Sequence, residues 1–281
     1  MKKLTIGGTQ VPAIGLGTWH MGDNAATRSQ EINAIKAGID AGAKVIDTAE
    51  MYGNGRSEAL VGEAIRDFNR DDLFIIDKVL PSNASKAKLE TSLDRSLKLV
   101  GTDHFDLYLY HWRGAIPLEE TISTLRAMQE KGKINHWGVS NFDLPDMQEL
   151  LALSGGDQVA ANEDLYNIGS RGVEYSLLPW QRERKIPFIA YTPVGAGDEQ
   201  GRLTTNKTVR EIAAAHQVSP WQLILAWAIR DGNTLAIPQS GDPKHAAANV
   251  AAANITLSSA ELAKIDEVFP KPTSKQPLDV R

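Results

Sequence analysis

The feature that most constrains this chain is a repeated alternation of a short β-rich run with an amphipathic helical stretch. The β-rich runs fall at Ala13–Gly17, Lys44–Asp47, Leu73–Lys78, Phe105–His111, Ile134–Ser140, Gln158–Asn162, Phe188–Tyr191 and Leu235–Pro238, eight in all. Helical spacing occupies Gln30–Ala41, Ser57–Phe68, Lys86–Leu99, Leu118–Glu130, Leu144–Leu153, Val173–Arg184, and a longer region covering Thr208–His216 and Pro220–Arg230. Ile32, Ile35 and Ile39 make one apolar stripe and Leu89, Leu93 and Leu97 another, the spacing of helices lying over a sheet. Ser219 before Pro220 suits a helix N-cap and first turn. Ser258 and Glu261 have capping-box spacing and predict a final helix over Ser259–Val268. The tail from Pro270, with Pro272 and Pro277, reads as irregular chain packed on a surface.

A chain of 281 residues fits one large barrel as readily as two smaller domains, so length does not choose. The repeat does. Eight strand-helix units with no composition break predict an α/β fold: a closed (β/α)8 TIM barrel with a short N-terminal hairpin and additional C-terminal helices, one domain over residues 1–281. A doubly wound open sheet is the competitor, usually with fewer strands in one domain. Its dinucleotide motif is missing. Gly15-Leu16-Gly17 has no third glycine in place and no helix immediately after it, and Gly53-Asn54-Gly55 is followed by Arg56 and Ser57.

Composition removes several function classes. Hydrophobic residues make up 42% of the chain, enough for a sizeable core, and the absence of cysteine excludes disulfides, thiolate nucleophiles and thiolate metal sites. After Met1-Lys2-Lys3 the residues Gly7, Gly8, Thr9 and Gln10 interrupt any signal-peptide core. No apolar run approaches the roughly 20 residues needed to cross a bilayer. A soluble, cytoplasmic protein without membrane partners is expected. A net charge of -5 and no basic stripe argue against nucleic acid.

In a closed barrel the loops after the strands share one rim, and chemistry occupies that rim. Asp47 ends the second run, Tyr52 sits in its loop, Lys78 ends the third run and His111 ends the fourth. A phenol is a poor proton donor at neutral pH. A nearby Lys78 ammonium would stabilise the phenolate and lower its pKa, and Asp47 would hold that ammonium charged and oriented. His111 would fix a substrate oxygen. Such a set can protonate a carbonyl oxygen while a hydride reaches the carbon, and the hydride requires a cofactor. Taken singly, the same residues read as an internal salt bridge, a loop aromatic and a satisfied strand-end histidine; their coincidence on one rim carries the reading. Other chemistries fare worse. The six histidines form no His-Glu-x-x-His motif, no metal site is expected, and neither a nucleophile elbow nor a Walker loop is present. Asp47 with Glu50 or Asp77 would imitate a glycosidase pair but leaves Lys78 and Tyr52 without a purpose.

The segments "IGLGTW", "VIDTAEMYGNGRSEALVGEAI", "DLYLYHW", "GKINHWGVSNF", "AYTPVG" and "AIPQS" occur in order along nearly the whole chain, which resembles the aldo-keto reductase family, especially its small bacterial members. The resemblance implies Asp47, Tyr52, Lys78 and His111 as a catalytic tetrad, with Tyr52 as general acid, and hydride transfer from a nicotinamide bound across the barrel mouth. It also implies Ser140 and Asn141 at the carboxamide, together with Glu163, where the family commonly has glutamine; a carboxylate does not donate as an amide does unless it is protonated. Tyr191 would stack on the ring, Pro193, Val194 and Gly195 would lie near the pyrophosphate, and Asn249 would reach the adenine. Relatives preferring NADPH often carry Ile-Pro-Lys-Ser and then an arginine; here Gln239 and His245 hold those two cationic positions, with Ser240 retained. NADPH is expected first, from the family, with NADH as an alternative from residue chemistry. Trp19, His20, Met51 and Trp112 are the expected substrate walls, for a small aldehyde or ketone. The stretch "LYNIGSRGVEYSLLPW" resembles reductases of methylglyoxal and related 2-oxoaldehydes. A monomer is expected, with a mouth left open by an abbreviated tail. The competing function is a cofactor-binding redox sensor or interaction protein with little turnover.

Overall fold

The computed structural model describes residues 1–281. The chain opens with an antiparallel hairpin, β1 (Lys3–Ile6) and β2 (Thr9–Pro12). Eight barrel strands follow: β3 (Leu16–Gly17), β4 (Val45–Asp47), β5 (Phe74–Val79), β6 (Phe105–Tyr110), β7 (Ile134–Ser140), β8 (Asn162–Leu165), β9 (Phe188–Tyr191) and β10 (Thr234–Ala236). They are parallel and stand in chain order from β3 to β10. Closure comes from parallel bridges between Ile14 and Ala236 and between Gly17 and Gln239. A side chain at Gly17 has no room on that seam, since a Cβ there would lie 2.6 Å from the Ile237 carbonyl oxygen. The (β/α)8 barrel of the sequence reading is the observed fold.

Helices α1 (Arg28–Asp40), α2 (Arg56–Ile65), α3 (Leu89–Val100), α4 (Leu118–Glu130), α5 (Leu144–Ala152) and α6 (Leu177–Glu183) cover the sheet. Leu89, Leu93 and Leu97 are buried on one face of α3, as their spacing requires. Beyond β9 come α7 (Asp198–Thr205), α8 (Lys207–Ala215), α9 (Pro220–Ala228), α10 (Pro243–Ala251) and α11 (Ser259–Val268). Ser219 and Ser258 close the capping boxes that start α9 and α11. No helix is long and apolar enough to cross a membrane.

Two expectations change. The run Gln158–Asn162 is not a strand: Gly156–Gln158 forms a 3-10 turn, and β8 starts at Asn162 and includes Glu163 and Asp164. Polar residues at a strand's end read as loop in a sequence, although here Asn162, Glu163 and Asp164 are all buried. The tail also does more than lie on a surface. It returns to the rim, where Arg281 joins the wall of the central cavity and donates to the Ala196 carbonyl. The mouth is therefore narrower than a short tail suggests. At the opposite end, Gly7 of the hairpin sits so close to the His136 ring that a Cβ there would come within 2.2 Å of it. The hairpin thus packs against the start of β7, at the end of the barrel away from the loops that carry the site.

Candidate active site

β4 and β5 are paired in register with Asp47 opposite Ile76, which places Lys78 one pleat further along the same side. Its side chain is fully buried, and its Nζ donates to Asp47 Oδ1 at 2.5 Å, to the Thr48 carbonyl at 3.2 Å and to the Tyr52 hydroxyl at 3.2 Å. Tyr52 is delivered by a tight turn in which Gly53, Asn54 and Gly55 have φ of 58°, 55° and 95°. Two of these three left-handed positions are glycine, the residue that adopts them without steric cost. Asp77 and Glu50, the other candidate carboxylates, do not reach the cavity. Asp77 alternates to the opposite face of β5, and Glu50 is held by the Leu80 amide, Asn83 and Ser92.

Burial sets the charges. It acts to lower the Lys78 pKa, but Asp47, Glu163 and Tyr52 together outweigh it, so the ammonium is held well above its ordinary value. Burial raises the Tyr52 pKa above that of an ordinary phenol, with Lys78 opposing and Asp47 and Glu163 adding to the rise. This differs from the sequence expectation of a lowered value, because desolvation of the phenolate exceeds the attraction of the ammonium. The phenol accordingly keeps its proton at neutral pH, while Lys78 lessens the cost of the phenolate once that proton leaves. His111 is pushed down to about 2, first by burial and then by Lys78, so its imidazole is neutral. Its Nδ1 is buried without a partner.

Tyr52 and His111 line one narrow cavity of about 60 Å³ together with Trp19, Met51, Trp112, Ser140, Asn141, Glu163, Tyr191 and Arg281. The Tyr52 and His111 rings meet edge to face at 6.0 Å. Asn141 donates to the His111 carbonyl at 3.0 Å and accepts from the Tyr191 hydroxyl at 2.8 Å, which ties β7 and β9 to the end of β6. His20 stands outside this cavity: it stacks on Trp19, bonds to Asp23 and faces solvent.

A second, wider cavity of about 540 Å³ lies at the end of the seam. Gln239, Ser240, His245, Asn249 and Val194 line it, while Pro193 and Gly195 flank Val194 in the chain without lining it. Two further residues on its wall carried no signal in the sequence. Trp221, 36% exposed, opens an indole face on the first turn of α9. Asp242 caps α10 through the Lys244 and His245 amides, at 2.8 and 3.1 Å. The loop after β9 links the two cavities, with Tyr191 on the first and Val194 on the second.

The linings of these cavities match the chemistry of a two-ended ligand. One end has an aromatic wall and a buried carboxyl oxygen, Glu163 Oε2, with no protein partner. The other has amide, hydroxyl and imidazole donors beside an indole. A nicotinamide dinucleotide has that division, and these residues suit it.

A phenol backed by a buried ammonium, at the loop end of a parallel barrel beside a cavity lined for a dinucleotide, defines a barrel oxidoreductase. The chain belongs to the aldo/keto reductase family, whose model matches residues 13–269. Methylglyoxal reductase YeaE of Escherichia coli (strain K12) is 45% identical over 275 residues, covering 98% of this chain and 96% of that protein. Methylglyoxal reductase DkgB of Salmonella typhi is 32% identical over 252 residues, 88% of this chain and 89% of that one. The crystal structure of an aldo-keto reductase from Klebsiella pneumoniae in complex with NADPH matches with a TM-score of 0.97 at 45% identity, covering 100% of this chain and 99% of that chain. The chain is an NAD(P)H-dependent reductase of small aldehydes and ketones.

Proposed function

We propose that this reductase acts on small 2-oxoaldehydes such as methylglyoxal, with NADPH as its preferred cofactor and Tyr52 as the proton donor. The observation that carries the reading is the Tyr52 hydroxyl, 3.2 Å from a fully buried Lys78 ammonium, on the wall of the central cavity. The bound nicotinamide supplies the hydride. Tyr52 holds its proton until negative charge develops on the carbonyl oxygen and then gives it up, and Lys78 stabilises the phenolate that remains. Asp47 keeps the ammonium fixed. The neutral His111 imidazole orients the oxygen without competing for the proton. Trp19, Met51 and Trp112 give a small, partly apolar mouth, which suits a short carbonyl compound. A monomer is part of this proposal, on the family resemblance alone.

The relative from Klebsiella pneumoniae was crystallised with NADPH. In this chain Gln239 and Ser240 are the side chains offered to a 2′-phosphate beside His245, which favours hydrogen-bond donation over a fixed positive charge. The test is steady-state oxidation of NADPH and NADH by the purified protein with methylglyoxal and a panel of aldehydes. Turnover with methylglyoxal, faster with NADPH, is expected; tight cofactor binding with no turnover on any carbonyl would leave a redox sensor instead. The Trp221 wall makes a separate prediction. Aromatic stacking on a base contributes about 1–3 kcal/mol, so Trp221→Ala is expected to weaken NADPH binding by roughly tenfold. A fluorescence titration of the free enzyme with NADPH measures it, and an unchanged Kd would remove Trp221 from the site.

A further inference from the structure

Lys78 Nζ has two carboxyl groups within reach and no second cation to balance them. Asp47 Oδ1 lies at 2.5 Å and Glu163 Oε1 at 3.4 Å. All three side chains are buried, Glu163 to 1% exposure. One ammonium neutralises one carboxylate; a second anion in the same dry space carries an uncompensated desolvation cost. The shorter contact belongs to Asp47, so Glu163 is the group that takes a proton. Its position agrees, because Oε2 has no partner and the residue forms part of the cavity wall beside Ser140, Asn141 and Tyr191. Burial, then the charge of Asp47, raises the Glu163 pKa well above the carboxylate range, against the pull of Lys78.

Groups on every neighbouring element bear on this proton. Asp47 faces it from β4, Tyr52 from the following turn and Lys78 from β5. His111 lies across the cavity after β6, while Tyr191 stands on β9, its own pKa raised by burial and by Asp164 and Glu163. Arg281 brings a cation from the tail. Asp164, the next residue of β8, alternates to the opposite face. None of these offers Glu163 a second close cation.

We propose that Glu163 is a neutral carboxylic acid in the free site and releases its proton to solvent when the oxidised cofactor is bound. The inference rests on the reductase reading given above. An oxidised nicotinamide ring is a cation and its reduced form is neutral, so only the oxidised form favours an ionised carboxyl in the same cavity. The balance is one proton out per oxidised cofactor bound, with no electrons moved and no bond broken except the O–H of Glu163. Glu163 is thus a positioning residue that couples the redox state of the occupant to the protonation of the site. A glutamine here would donate to a carboxamide but would lack this coupling.

The experiment is equilibrium binding of oxidised and reduced cofactor to the wild-type enzyme, without substrate, from about pH 6 to about pH 9. The ratio of the two Kd values is the quantity read, because the 2′-phosphate and His245 act on both forms alike and cancel. The ratio of oxidised to reduced Kd is expected to fall as pH rises, by at most about tenfold per pH unit, the limit for one linked proton. Glu163→Gln is expected to bind both forms with a ratio that does not change with pH. An infrared difference between wild type and E163Q is expected to show the C=O stretch of a protonated carboxylic acid in the free wild-type protein. A pH-independent ratio in the wild type overturns the proposal without any variant, as does an E163Q ratio that keeps the wild-type slope. Failure of the wild type to bind either cofactor would instead overturn the reductase reading.

Discussion

Tyr52→Phe is expected to lower kcat for carbonyl reduction by about 10²–10⁴-fold, the range supplied by a positioned acid, while NADPH affinity stays close to wild type. The substitution removes one oxygen and leaves the ring, so the packing with Trp19 and His111 is kept. Lys78 loses one of its acceptors but retains Asp47 and the Thr48 carbonyl, and the ammonium remains paired. Loss of rate therefore reports loss of the proton, not collapse of the site. The raised pKa of Tyr52 supports this assignment, since a donor must carry its proton at neutral pH. Single-turnover kinetics with bound NADPH would check it, together with a binding titration of the same variant. A Y52F rate within a few-fold of wild type would show that solvent or His111 protonates the oxygen and that the Tyr52–Lys78 contact is structural.

How far the sequence disclosed this site depended on where the residues lie. Asp47 and Lys78 were legible because each is a charge at the end of an apolar strand, where only a partner on the neighbouring strand makes burial tolerable. Tyr52 was legible through its glycine-bounded turn. The same logic failed at β8, where Asn162, Glu163 and Asp164 follow an apolar run and their burial exists only after the sheet is assembled. Helix α7 gave little signal, with Leu203 its single buried residue. Trp221 and Arg281 were invisible as site residues for a different reason. One lies on the outer turn of a helix and the other at the end of a proline-containing tail, and local periodicity says nothing about which cavity such segments meet. The direction of the Tyr52 shift was missed because it depends on depth of burial, which a list of neighbouring charges does not contain.

Lys78→Met carries the largest expected effect on stability. The ammonium is fully buried and its closest partner, Asp47, is 2% exposed, so removing the cation leaves a buried anion with no cation beside it. Breaking a buried pair from one side costs about 3–5 kcal/mol. Adding Asp47→Asn should recover most of that loss, because neither member then brings a charge into the core, and a double-mutant cycle isolates the pair. Reduction should remain abolished in both variants, since the phenolate of Tyr52 no longer has a cation beside it. The pH dependence has a definite sign. Burial already raises the Asp47 pKa against the pull of Lys78; without Lys78 only the Glu163 hydrogen bond opposes burial, so the folded pKa rises further above the unfolded value and the native state binds the extra proton. Stability of the single variant then falls as pH rises through the interval between those two values, and its deficit against wild type narrows on acidification. Denaturant unfolding of wild type, K78M and K78M/D47N at about pH 7 and about pH 5 measures both effects. A deficit below about 1 kcal/mol, unaffected by D47N or pH, would mean that the carboxylate finds water or another donor when the lysine is gone, and that the ion pair does not hold the site together.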